Sequence, residues 1–195
     1  MISSLYSDKL NETKNNLIIT YPRNVSIIFG HYPYLNIVHN MTLEIKNNLN
    51  PEMKNYTNVK GGMTDWKFFL DKKNFNHFIS FLINKHQSSH SDMFKYFLEK
   101  WEINEAWGNE IKKGDSVNFH HHFHHSGILY LTKGCDLILP ELNIKITPKP
   151  GDYYILPPVI LHGFEKSFDK NNRYSLIFNM FQHSKKFDFN KKFGG

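Results

Sequence analysis

From Trp101 to Phe181 the chain alternates short apolar runs with clusters of Gly, Pro, Asn and Asp, and nothing else in the sequence restricts the fold so tightly. The runs are "WEINEAWGNEI", "SVNFHH", "GILYLT", "CDLILPE", "NIKITP", "DYYILPP", "HGFEKS" and "RYSLIFNMF". Eight short strands within about eighty residues, each closed by turn residues, call for a sandwich or barrel. One eight-stranded solution of this kind is the double-stranded β-helix, or jelly roll, which cupins share. The expected fold class is therefore mainly β (α+β), with a jelly-roll core.

The first hundred residues have a different texture. "NLIITY" or "VSIIFG" reads as a strand, and helices follow. Tyr34, Val38, Met41 and Ile45 share one helical face, and Phe75, Phe78, Ile79, Leu82 and Ile83 repeat the same spacing further on. "QSSHSDMFKYFLEK" reads as a loop, an N-cap at Ser91 or Asp92 and a third helix. "KNNLNPEMKNYTN" and "KGG" punctuate the chain between them. The helices would buttress one sheet from outside. The expectation is a single domain over residues 1–195, with 1–100 as support, 101–183 as the jelly-roll core and 184–195 as a mobile tail.

Composition narrows the function classes. Cys135 is the only cysteine, which rules out an internal disulfide framework or a cysteine zinc site and suits a reducing, cytoplasmic setting. Its place in "KGCDLIL" reads as a buried strand position. No basic-then-apolar leader is visible, and no apolar run approaches the roughly 20 residues that span a bilayer. The formal charge of +6 comes from lysines scattered along the chain, a pattern of solvated surface more than of a nucleic-acid stripe. It lends slight support to an anionic substrate.

Against that background "NFHHHFHHSGILYL" stands out, with five histidines in six positions. It lies in mid-chain and is interrupted, so it does not read as an affinity tag. Side chains alternate along a strand, so His120 and His122 would project together while His121 faces away. His124 shares that parity only if the strand continues. A third ligand must come from a distant element, and His162, after the turn, strand and paired prolines of "PGDYYILPPVILH", is the candidate. Each histidine could equally be a solvated or core residue. The three together point to a metal.

Arg173 adds a different signal. The chain uses Lys nearly everywhere and Arg only at Arg23 and Arg173. A guanidinium fork meets a carboxylate through two parallel hydrogen bonds, which an ammonium cannot do. Arg173, Ser175, Ile177 and Asn179 lie on one face of "RYSLIFNM". Burying such an Arg inside a barrel is costly unless an anion meets it, although an edge-strand salt bridge is the other reading.

These motifs resemble the Fe(II)- and 2-oxoglutarate-dependent oxygenases, and in particular those common in phage and bacterial genomes. The resemblance rests on W-x-N, G, H-x-H, SG-x-x-YL, G-x-x-x-x-x-P, H and R-x-S. Here they stand as "EAWGNEIKKGDS", "HHH", "SGILYL", "GDYYILPPVILH" and "RYSLIFN", between Trp107 and Asn179, with a looser likeness back to "GGMTDW". It implies that His120, His122 and His162 bind iron, and that Arg173, helped by Ser175 and Tyr130, holds the distal carboxylate of 2-oxoglutarate. The implied reaction converts that cosubstrate to succinate and CO₂ while hydroxylating a primary substrate. A protein side chain, a nucleobase or a metabolite would all suit that last role. A facial triad leaves positions open for the oxoacid and O₂.

One departure is plain. The family triad is two histidines and a carboxylate, and His122 stands in the carboxylate's place, leaving one more positive charge at the metal. Asp115 would be a distant substitute. A three-histidine cupin acting without 2-oxoglutarate is the main alternative, since Gly114, His120, His122 and Gly134, then Gly151, Pro157 and His162, fit cupin spacing. The cupin glutamate is missing, however, with Ser126 or Gly127 at its place. A non-catalytic jelly-roll module and a zinc hydrolase are the further alternatives, the last without a well-placed base. Trp101, Trp107, Phe119, Tyr153 and Tyr154 are pocket-lining candidates that packing would explain equally well.

Overall fold

The computed structural model describes residues 18–21, 25–55, 57–87 and 101–182. Strands β1 (Ile18–Tyr21) and β2 (Val25–His31) lead into helix α1 (Leu35–Asn47), and helix α2 (Lys73–Gln87) follows two short strands, β3 (Val59–Lys60) and β4 (Gly62–Met63). The second half supplies β5 (Trp101–Ile111), β6 (Ser116–His120), β7 (His125–Tyr130) and β8 (Leu137–Leu139), then β9 (Ile144–Ile146), β10 (Asp152–Leu156), β11 (His162–Phe164) and β12 (Arg173–Gln182). All eight runs expected after Lys100 are strands.

They form two sheets. The larger has the order β1-β2-β10-β7-β12-β5-β4 and the smaller β3-β6-β11-β8-β9. Strands adjacent in space are mostly distant in sequence, as a double-stranded β-helix requires. β12 lies at the heart of the larger sheet, paired with β7 on one side and β5 on the other. It is buried on both faces, which is why "YSLIFNM" reads as nearly unbroken apolar sequence.

Two layers of core follow from the strand period. Tyr174, Leu176, Phe178 and Met180 point outward and pack with Val38, Met41 and Ile45 of α1 and Phe75, Phe78 and Leu82 of α2. The helices thus cover the outer face of the larger sheet, as their apolar stripes dictate. Gly108 and Gly127 bring the layers together: a Cβ at Gly108 would overlap Ile45, and one at Gly127 would overlap the Phe178 ring. Inward-facing side chains fill the space between the sheets, with Ile128, Tyr130 and Tyr154 in one cluster and Trp107, Ile111 and Ile177 in another.

The structure departs from the sequence reading at several points. Tyr34 lies outside α1 as its N-cap residue and is exposed, because Pro33 precedes it and the helix begins at Leu35. Ile79 and Ile83 are only half-buried, at the margin of the apolar stripe. Cys135 is half-buried in the bend before β8, its carbonyl turned toward Arg173, so it is not a strand residue. "KGG", read as punctuation, joins β3 and β4, which extend the two sheets by pairing with β6 and β5. The third helix, Arg23 and the 184–195 tail lie outside the described residues.

Candidate metal centre

β6 and β11 pair antiparallel, with His120 directly opposite His162. The ladder then shifts register before the Phe164–Val117 pair. Gly163 sits at the shift, where a Cβ would press against backbone atoms of Val117, Asn118 and Phe119. β6 ends at His120, so alternation along a strand does not bring His122 to the site. The chain leaves the sheet there and turns toward β7, and this turn returns the His122 ring to the other two. His120 and His122 do come together, by way of a loop and not by alternation along a strand.

The potential ligand atoms of His120, His122 and His162 all lie within 4.8 Å of one another. Among the described residues no other group of three His, Cys, Asp or Glu side chains is arranged in this way, and no carboxylate joins this one. The Nε2 atoms of His120 and His122 are 3.1 Å apart. Two bonds of about 2.1 Å at a right angle to one metal would separate their ligand atoms by about 3 Å. Nδ1 of His120 lies 2.7 Å from the Asn118 carbonyl and Nδ1 of His162 lies 3.0 Å from the Ile160 carbonyl. A carbonyl only accepts, so both Nδ1 atoms carry the proton and both Nε2 atoms keep a lone pair.

Electrostatics enforce the neutral state. Burial, then the neighbouring His162 and His120, push the His122 pKa down to about 3. Burial and His120 push His162 down to about 4. His120 is lowered as well, chiefly by burial, against its bond to Asn118. A metal would therefore meet three imidazoles that protons do not contest near neutral pH.

The cavity beside this cluster runs between the sheets and has about 60 Å³ open to the centre of a water-sized sphere, space for several waters. Arg173, Ser175 and Tyr130 line it together with all three histidines. Arg173 is 5% exposed, its Nη1 donates to the Cys135 carbonyl at 3.0 Å, and its guanidinium lies over the Phe164 ring at 4.3 Å and the Tyr130 ring at 5.4 Å. Its Nε is buried without a partner among the described residues. Gly134 makes room for this pose, since a Cβ there would come within 2.6 Å of the Arg173 Cβ. Tyr130 is pushed up to about 12 by burial, although Arg173 pulls the other way, so its hydroxyl keeps its proton. A buried guanidinium with Nη1 committed and Nε unused, sharing a cavity with two hydroxyls, has the donor chemistry to receive an anion of carboxylate shape.

The remaining candidates separate. Trp107 lines the cavity, whereas Tyr153 packs outward toward α2 and Tyr154 joins the core cluster around Tyr130. Phe119 is partly exposed beside a shallow surface groove, and the Trp101 side chain lies outside the described residues. Asp115 does not join the histidine group: its Oδ2 accepts from the Lys112 backbone N–H at 2.8 Å and closes a turn. The His124 ring packs tilted against Phe181, at 3.8 Å between centroids, and does not join the cluster. Sequence reasoning missed Asn109, Ser126 and Ile128 as lining residues. The same alternation that selected Ser175 would have found them once β5 and β7 were known to flank β12.

No protein-family model matches the chain, and no curated protein does. Solved structures do. A prolyl-4-hydroxylase from Pseudomonas putida superposes with a TM-score of 0.63 at 13% identity, over 83% of this chain and 95% of that one. The viral collagen prolyl hydroxylase of Paramecium bursaria Chlorella virus-1, solved as its 2-oxoglutarate complex, gives 0.54 at 11% identity, over 87% and 97%. HygX from Streptomyces hygroscopicus, with nickel and 2-oxoglutarate bound, gives 0.54 at 10% identity, over 94% and 87%. At such identities the likeness establishes the jelly-roll fold these proteins share.

Proposed function

We propose that this chain is an Fe(II)- and 2-oxoglutarate-dependent dioxygenase that hydroxylates a primary substrate. The observation that carries the reading is one cavity walled by three converging neutral histidines and by Arg173, a buried guanidinium whose Nε has no partner among the described residues. That two structures of this fold hold 2-oxoglutarate, one of them with a metal, supports it.

In this reading His120, His122 and His162 hold the iron through Nε2. The backbone carbonyls of Asn118 and Ile160 fix the tautomer and ring orientation of two of them. Arg173 receives the distal carboxylate, with Ser175 and Tyr130 as hydroxyl donors. The Cys135 carbonyl and the Phe164 and Tyr130 rings hold the guanidinium plane. Iron with 2-oxoglutarate would supply oxidative chemistry, in which O₂ is split between succinate formation and substrate hydroxylation. The jelly-roll core 101–183 carries the whole site, with the first hundred residues as its support. No described helix is long and apolar enough to cross a membrane, and with its single thiol we assign the chain to the reducing cytoplasm.

The test is an anaerobic titration of metal-free protein with Fe(II) and then 2-oxoglutarate, following the visible metal-to-ligand charge-transfer band. The expected result is one iron per chain, a band on adding the oxoacid, and loss of both in His162→Ala. The all-histidine triad favours one rival, a cupin-type metalloenzyme that does not use 2-oxoglutarate. Iron binding without a band would establish that rival and refute this proposal.

A further inference from the structure

The inner face of the larger sheet carries a second polar level that a ligand on Arg173 does not reach. Asn179 of β12 lies opposite Glu105 of β5 and Ser126 of β7. Its Nδ2 donates to Glu105 Oε2 at 2.7 Å. A carboxylate only accepts, so this bond determines which way the amide stands and leaves Oδ1 as a fixed acceptor. That Oδ1 and the Ser126 Oγ are both buried and unpartnered among the described residues, with Asn179 9% exposed and Ser126 1%. Such atoms cost stability unless a ligand or water pairs with them, and side chains kept at such a cost mark functional positions.

Distance separates this level from the carboxylate receptor. Asn179 is four strand residues from Ser175, and Ser126 four from Tyr130, a span of roughly 13 Å. A five-carbon diacid, about 7 Å between its outermost oxygens, covers only a little over half of that. Ser126 lines the same cavity as the three histidines and follows directly on His125 at the start of β7, the end of that strand that the histidine loop enters. Its chemistry is selective. It offers an acceptor and a hydroxyl with the Glu105 carboxylate behind them, which suits a hydrogen-bond donor and repels an anion.

We infer that Asn179 and Ser126 form the specificity subsite for the primary substrate, receiving an amide N–H or hydroxyl of a neutral group held beside the atom to be oxidised. The role as a primary-substrate subsite rests on the oxygenase reading, whereas the donor preference rests on the two orphaned atoms alone.

The experiment uses the full chain loaded with Zn(II), a diamagnetic substitute, and 2-oxoglutarate. Its side-chain amide resonances are followed during titration with N-methylacetamide and, separately, with methyl acetate, which has the same shape but no N–H. The Asn179 resonance is assigned by its loss in Asn179→Leu. Saturable shifts with the amide are expected, about tenfold weaker with the ester, the effect of one ordinary hydrogen bond. Ser126→Ala should abolish the preference and raise the Tm of the unliganded protein, because it removes an unpaired buried hydroxyl. Equal response to the two probes, no response, or a Ser126→Ala protein with unchanged or lower Tm would overturn the subsite. A charge-transfer band in the Fe(II) titration without an amide response in the Zn(II) sample defeats this inference alone. An amide response without a band upholds the donor preference while defeating the oxygenase reading.

Discussion

Replacing Arg173 with Lys keeps the charge and removes the geometry, and the consequences separate cleanly. In the wild-type chain Nη1 is committed to the Cys135 carbonyl, which leaves Nε and the second terminal nitrogen to meet a carboxylate. An ammonium on a flexible stem cannot hold the Cys135 carbonyl and present two parallel donors at once. The loss is one charge-assisted hydrogen bond of about 1.5–3 kcal/mol, a 10- to 150-fold rise in the Kd for 2-oxoglutarate. The flat guanidinium contact with Phe164 adds about 0.5–1 kcal/mol to the loss of rigidity. Iron affinity should not change, since none of the three histidines touches Arg173 through any hydrogen bond in the structure. The assay is the 2-oxoglutarate titration of iron-loaded wild type and variant, with iron stoichiometry and Tm as controls. Unchanged cosubstrate affinity in a folded, iron-replete variant would remove Arg173 from the site.

Gly127→Ala should destabilise the protein by about 1–3 kcal/mol or more, because the new methyl falls within the Phe178 ring, and an unchanged Tm would mean that β7 and β12 are packed otherwise. Glu110→Ala should cost a similar amount: the carboxylate accepts from the buried Tyr174 hydroxyl and from Asn172 Nδ2, and it pairs with Lys112, so its removal strands a phenol in the core. Denaturant melts would measure it, and a loss below about 0.5 kcal/mol would count against that network. Metal-free protein should lose stability as pH falls from about 6.5 toward 4. His162 and His122 are held at about 4 and about 3 in the folded chain, so below 6.5 the unfolded chain binds more protons than the native one. For buried His162 alone the effect amounts to at most about 3 kcal/mol. A flat profile across that range would contradict the burial of the cluster.

The eight strands after Lys100 were legible because their period and turn residues are local properties. So was the apolar face of α2, of which Phe75, Phe78 and Leu82 are buried as its spacing requires. His122 was legible only by a partly mistaken route. The alternation argument needs a strand through His122, whereas β6 stops at His120 and a loop places the ring. β3 and β4 were not legible at all, since two-residue strands carry no period and exist only because β6 and β5 offer edges to pair with.

What the sequence determined by itself was the inventory: a strand-rich second half, helices with one apolar face, a histidine tract, a distant histidine and one well-placed arginine. Those are consequences of residue type and spacing, which chain connectivity preserves. Only the tertiary structure decided which of five clustered histidines face His162, and that Ser126 and Asn179 meet across two strands more than fifty residues apart. Sheet order and register are set by the joint burial of all strands at once, and no local stretch of sequence contains that information.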